Sequence, residues 1–126
     1  MLVWNVPDLG LTPALAIVDA ANPGSAAFAS LVIQQFNAAL FGSFGLLSAL
    51  LPGINLIPFD AFAAISEITA HPGDYGLTNV TDSCLTPMVP PFACQQPDTY
   101  LFWDGIHPTT AVHGLIADAV GATLSQ

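Results

Sequence analysis

A chain of 126 residues makes at most one domain, with a core of moderate size. It has no Lys or Arg, nine acidic residues and a formal net charge of −9, so nucleic acid and anionic lipid headgroups are disfavoured partners: phosphate binding relies on Lys and Arg. Ion pairs within the chain need a protonated His or the N-terminus.

In chain order, Leu2-Val3-Trp4-Asn5-Val6 is a short apolar run ending at Pro7 and reads as a buried strand. Asp8 to Pro13 reads as a loop. From Pro23 to Phe44 the spacing predicts a helix, because Phe28, Leu31, Val32, Phe36, Ala39 and Leu40 recur at i, i+3, i+4 intervals. Ser25 stands where an N-cap is expected. Gly42 and Gly45 weaken the continuation toward Leu51, and Pro52-Gly53 reads as a turn.

Hydrophobic residues make up 53% of the chain, and no charge falls between Ala20 and Phe59. Proline, glycine, Asn and Gln interrupt that run. Its cleanest piece, Ala38 to Leu51, falls short of the ~20 residues a spanning helix needs. No transmembrane helix is expected; an apolar surface facing lipid or a partner is.

Ile54 to Asp60 resembles a second parallel strand, and Ala61 to Ala70 a short helix. Residues 71 to 99 are rich in Pro, Gly and Asp, hence irregular. A last helix is expected from about Thr109 to Leu124, with Val112, Leu115, Ile116, Ala119 and Val120 as its apolar stripe. Pro108 and Thr109 define its start, which leaves His107 on a loop fixed from its C-terminal side. The sum is strand, helix, strand, helix, long loop, helix: an α/β pattern with parallel strands in one domain, residues 1–126. Two parallel strands alone make an unusual sheet, since parallel sheets need both faces covered. Another copy or a complementary fragment is expected to complete it.

Cys84 and Cys94 enclose a short Pro-rich loop. They are either two buried thiols or a disulfide; loops bury thiols poorly, which favours the bridge and an oxidising compartment. No His/Cys cluster accompanies them, and the three His are too dispersed for zinc, so no metal is expected. Asp8 and Asp60 follow the two strands, where open α/β sheets form sites or where side chains cap loops and helices. His71, beside Pro72-Gly73, reads as a surface imidazole.

Near the C-terminus stands Tyr100-Leu101-Phe102-Trp103-Asp104-Gly105-Ile106-His107-Pro108-Thr109. A serine hydrolase needs an Asp to hold a His in one tautomer, so that the His can take a proton from the nucleophile. Asp104-x-x-His107 could do this locally, although so short a motif also matches by chance. The flanking residues add weight. Trp103-Asp104-Gly105-Ile106-His107-Pro108-Thr109 resembles the last sequence block of the SGNH hydrolases, also called GDSL esterases and lipases. Leu77-Thr78-Asn79-Val80-Thr81, Cys84, Cys94 and the segment Pro97 to Asp104 resemble the secreted bacterial branch related to thermolabile hemolysins and autotransporter esterases. Asn5 to Pro13 is similar to a strand-to-loop segment late in that fold.

The resemblance implies part of a flavodoxin-like three-layer α/β/α fold, with few parallel strands and a sheet completed by another chain. It implies hydrolysis of a carboxylic ester or lipid by acyl transfer to a Ser, without metal or organic cofactor. His107 would be the general base, and Asp104 would orient it. Trp103 would wall the His or fill the core, and His113 would hydrogen-bond near the site. A secreted parent protein is implied.

The family's Gly-Asp-Ser-Leu and Gly-x-Asn-Asp blocks have no counterpart here. Ser25, Ser30, Ser43, Ser48, Ser66, Ser83 and Ser125 all lack a Gly-x-Ser-x-Gly or Gly-Asp-Ser context, so the nucleophile is unassigned. Met1 to Asn5 shows no basic n-region. The chain is expected to be the C-terminal half of such a hydrolase. It is either a component of an esterase or a non-catalytic half-domain that self-associates, or binds a complementary fragment, through apolar surface.

Overall fold

In the computed structural model, which describes residues 1–125, the first strand β1 is Leu2–Trp4. It pairs in parallel with β2, Ile57–Phe59, in the register Leu2 to Ile57, Val3 to Pro58 and Trp4 to Phe59. Between them run α1, Pro13–Ala21, and α2, Ser25–Leu50. Helix α3, Ala61–Ala70, follows β2 directly. A second parallel pair joins β3, Asn79–Ser83, to β4, Tyr100–Phe102. Helix α4, Thr110–Leu124, closes the fold. The chain is α/β, with two separate two-stranded sheets rather than the one expected.

Three of these elements differ from the sequence reading. Helix α1 occupies residues given no element, although its start was signalled: the Thr12 hydroxyl accepts from Leu15 N–H and Pro13 takes the first helical position. At nine residues it is too short to show its period. Strand β3 lies inside the stretch expected to be irregular, and β4 in the aromatic run beside it. Asn79-Val80-Thr81-Asp82-Ser83 has one apolar residue, so pairing to β4 rather than composition makes it a strand.

Helix α2 passes through Gly42 and Gly45 as one 26-residue helix, since each Gly costs a helix only about 1 kcal/mol. By length and composition alone it could cross a membrane, with a mean hydropathy of 1.3 over 18 residues. Gly24, not Ser25, is its N-cap. Its orientation leaves much of its apolar side facing outward. Phe28, Leu31, Val32 and Phe36, four of the six residues of the recurring stripe, are exposed, as are Leu46 and Leu50. The opposite side holds the helix to the body: buried Asn37 donates Nδ2 to Val6 C=O at 2.7 Å and accepts from Val6 N–H at 2.9 Å. Two hydrogen bonds to the single strand-end residue fix the face that turns inward. Gly10 lets the chain after β1 approach this helix, since a Cβ there would stand 2.5 Å from the Ala26 carbonyl oxygen.

The core gathers around α3, β4 and α4: Ile65, Ile68, Leu77, Leu101, Phe102 and Val112 are buried together, with Leu115 and Ile116 packed against them. Cys84 and Cys94 form a disulfide, which resolves the two readings of those residues. Cys84 is fully buried, and its N–H donates to Phe102 C=O at 3.0 Å, so the bridged loop is anchored at the end of β4.

Replacing Asn37 by Ala should strand both Val6 backbone groups in a half-buried place and cost about 2 kcal/mol of stability. Urea denaturation reads this as a lower midpoint with an unchanged slope. An unchanged midpoint would show that α2 is held by something else.

Candidate active site

The loop from Trp103 to Thr109 is pinned at both ends. Trp103 N–H donates to His107 C=O at 2.8 Å, and Thr109 N–H to Leu101 C=O at 2.9 Å. The Thr109 hydroxyl donates to Tyr100 C=O at 2.7 Å and accepts from Val112 N–H at 3.4 Å, so one side chain ties β4 to the first turn of α4. From across the fold, Ala14 N–H in the first turn of α1 donates to Gly105 C=O at 2.9 Å.

Asp104 organises the loop interior. Its Oδ1 accepts from the N–H groups of Ile106 at 2.8 Å and His107 at 2.7 Å. Its Oδ2 meets His107 Nδ1 at 2.8 Å. One carboxylate oxygen therefore shapes the backbone and the other aims the imidazole. Asp-Gly at residues 104–105 was the legible signal of such a turn; the backbone donors themselves have no sequence signature. The two backbone bonds, then the ring, lower the Asp104 pKa from 3.8 to about 2. When the imidazole is neutral and Nδ1 donates to the carboxylate, Nε2 carries the free lone pair. The His107 side chain is 72% exposed, so that lone pair is accessible.

An apolar cavity of about 440 Å³ opens beside the loop, with Ile106 and Pro108, the neighbours of His107, in its wall. Trp4 and Leu9 line it from the β1 side, and Ile116 and Val120 from α4. His113 also lines it, but its ring makes no hydrogen bond among the described residues, and His107 has only Asp104. Trp103 is partly exposed, so it does not fill the core; Phe102 does.

The remaining candidates fall elsewhere. His71 lies 3.0 Å from Glu67 on the exposed end of α3. Asp8 caps the turn at Gly10 and Asp60 caps α3 at Ala63, the capping roles weighed for them. Ser30 donates to Asp8 at 2.6 Å, and Ser25 to Asn22 C=O at 2.7 Å; among the described residues no hydroxyl hydrogen-bonds the His107 ring. Among the same residues no three His, Cys, Asp or Glu side chains gather to hold a metal ion.

Known esterases and lipases are similar to this chain. The esterase EstA of Pseudomonas aeruginosa is 32% identical over an alignment covering 99% of this chain and 20% of EstA. A GDSL esterase/lipase of Arabidopsis thaliana is 30% identical over 72% of this chain and 29% of its own length. A second Arabidopsis GDSL esterase/lipase is 27% identical over 92% of this chain and 35% of its length. The chain belongs to the GDSL esterase/lipase family. No family model matches it. It spans between about a fifth and about a third of the length of these relatives.

The depressed Asp104 pKa has a defined sign. The ordered loop favours the ionised carboxylate, so this contribution to stability is full above about 3.8 and is lost as pH falls through about 2. Carboxyl-carbon NMR should give Asp104 a midpoint near 2. In His107→Gln it should stay well below the ordinary range, because the two backbone donors, the larger causes, remain. An ordinary midpoint in the native protein would contradict the loop geometry.

Proposed function

We propose that this chain supplies the acid–base half of a serine ester hydrolase. The carrying observation is the 2.8 Å contact of Asp104 with His107 Nδ1, which leaves Nε2 exposed on a loop pinned from three sides. Esterase and lipase names among the relatives support the same reading.

A serine from polypeptide outside these 126 residues is the nucleophile in this reading. As its oxygen bonds to the ester carbonyl carbon, its proton passes to His107 Nε2. The tetrahedral intermediate collapses, the C–O bond to the alcohol breaks, and Nε2 returns the proton to the departing oxygen. Water then attacks the acyl-enzyme, giving its proton to Nε2; carboxylic acid leaves and the serine is restored. Asp104 stays ionised throughout and stabilises the imidazolium. The absence of Lys and Arg favours uncharged esters, since no permanently charged side-chain cation here offers an anionic headgroup a counter-charge. The Cys84–Cys94 disulfide supports an oxidising, extracellular location.

A second reading, a non-catalytic module, draws on the solvent-facing Phe28, Val32 and Phe36 of α2. Light scattering on the purified chain tests its self-association.

The enzymatic reading is tested in a chimera in which this chain replaces the aligned region of EstA. Hydrolysis of p-nitrophenyl butyrate is expected. His107→Ala and Asp104→Asn should each lower kcat by roughly a thousandfold or more, with circular dichroism unchanged. Turnover indifferent to His107→Ala would overturn the assignment.

A further inference from the structure

The loop closed by Cys84 and Cys94 carries apolar side chains outward. No residue from Ser83 to Pro97 is charged. Met88 is 91% exposed, and Val89 and Phe92 are exposed beside it. Met88 and Phe92 both hold φ at 69°, a left-handed conformation that Gly or Asn adopts at lower cost. Large apolar side chains thus stand in solvent at two positions where local sterics favour small or polar ones.

The loop also closes on its own backbone. Thr86 N–H donates to Phe92 C=O at 2.9 Å, Val89 N–H to Thr86 C=O at 3.2 Å, Phe92 N–H to Val89 C=O at 2.8 Å and Cys94 N–H to Cys84 C=O at 2.7 Å. Pro87, Pro90 and Pro91 have no N–H to satisfy. Among the described residues, only Met88 and Ala93 of this loop keep an open N–H. The root of the loop is joined to the dyad. Leu85 N–H donates to Trp103 C=O at 2.7 Å, and Trp103 N–H to His107 C=O at 2.8 Å. Met88 follows Leu85 by three residues, so it lies within about 11 Å of that junction. Trp103 and Ile106, on the dyad loop itself, are exposed as well.

We propose that Met88, Val89 and Phe92, with Trp103, form an anchor that docks the chain on a zwitterionic lipid bilayer and holds His107 near its surface. The anchor stands on the loop alone; delivery of bilayer-borne esters to His107 rests on the esterase reading above. Three observations select this occupant. A partner strand binds through free backbone donors, which this loop has largely closed, whereas a lipid layer requires them closed. The remaining open carbonyls stay at headgroup depth, where water reaches them, while the side chains pass below. A net charge of −9 without Lys or Arg is repelled by anionic headgroups, which leaves a layer without net charge. Trp103 adds an indole, a side chain suited to the boundary between headgroups and acyl chains.

The test floats the full chain with phosphatidylcholine vesicles on a density gradient. Co-flotation is expected, and at low ionic strength it should be about tenfold weaker or more on phosphatidylglycerol vesicles. Met88→Asn combined with Phe92→Asn suits the left-handed backbone and removes both apolar tips. Binding to phosphatidylcholine should then fall about tenfold or more, with circular dichroism unchanged. Val89→Ser touches neither left-handed position and should lower binding severalfold. Phe36→Ser, on the exposed face of α2, should leave it unchanged. A native chain that does not float overturns the proposal, as does flotation indifferent to the loop variants. Flotation lost in Phe36→Ser alone assigns the lipid-facing surface to α2 instead. A dimer that the loop variants abolish, without flotation, assigns the loop to a second copy. In the EstA chimera, the double loop variant should lower hydrolysis of p-nitrophenyl palmitate held in the vesicles about tenfold relative to that of dissolved p-nitrophenyl butyrate. Loop-dependent flotation with hydrolysis of neither ester sinks the esterase reading and upholds the anchor. Hydrolysis of both esters in a ratio that the loop variant does not change, with no flotation, does the reverse.

Discussion

With no Lys or Arg in the chain, every carboxylate must find its hydrogen bonds on the backbone, on an amide side chain, on a hydroxyl, on a His or in water. The protein turns that restriction into its main means of construction. Asp8 takes the Gly10 N–H and the Ser30 hydroxyl. Asp19 takes the Gly24 and Ala26 N–H groups and so sets the turn between α1 and α2. Asp60 caps α3 and also accepts from Asn5 Nδ2, and the Asn5 side-chain oxygen Oδ1 accepts from Phe62 N–H. Hydrogen bonds to an ionised acceptor are stronger than neutral ones, and they act here at the corners where chain direction changes. Uncompensated negative charge opposes compaction, so the acids contribute most where they stitch the backbone.

The dyad is a specialised case of the same device. Asp104 spends one oxygen on the turn and the other on the imidazole. A carboxylate bonded only to the ring would leave the loop free to carry both groups away together. Bonds from Trp103, Thr109 and Ala14 locate that turn against β4, α4 and α1. The orientation of His107 is therefore a property of the whole domain, while its far nitrogen remains open to solvent.

The apolar surface is distributed in the opposite sense. Around α3, β4 and α4 it is buried, but on α2 it faces outward, and beside β1 it lines a trough. Each sheet has only two strands. A chain that is 53% hydrophobic thus completes a small core and leaves apolar area over.

The sequence alone determined what depends on neighbours in the chain. The spans of α3 and α4, the Thr109 cap, the parallel strands at residues 2 and 57, and the Asp104–His107 pair were all legible, because caps, periodicity and a three-residue spacing are local. The family resemblance rested on such a local string. What the sequence left open was decided by long-range contacts. Strand β3 exists because β4 lies beside it. Helix α2 turns its Asn37 side inward because Val6, 31 residues away, offers both backbone groups to that amide. The stripe of Phe28, Val32 and Phe36 fixed that α2 is a helix but not which way it faces, since periodicity specifies an apolar side and not what will cover it. The grip of Ala14 on Gly105 and the trough between β1 and α4 were hidden for the same reason: they arise only where segments distant in sequence are brought together.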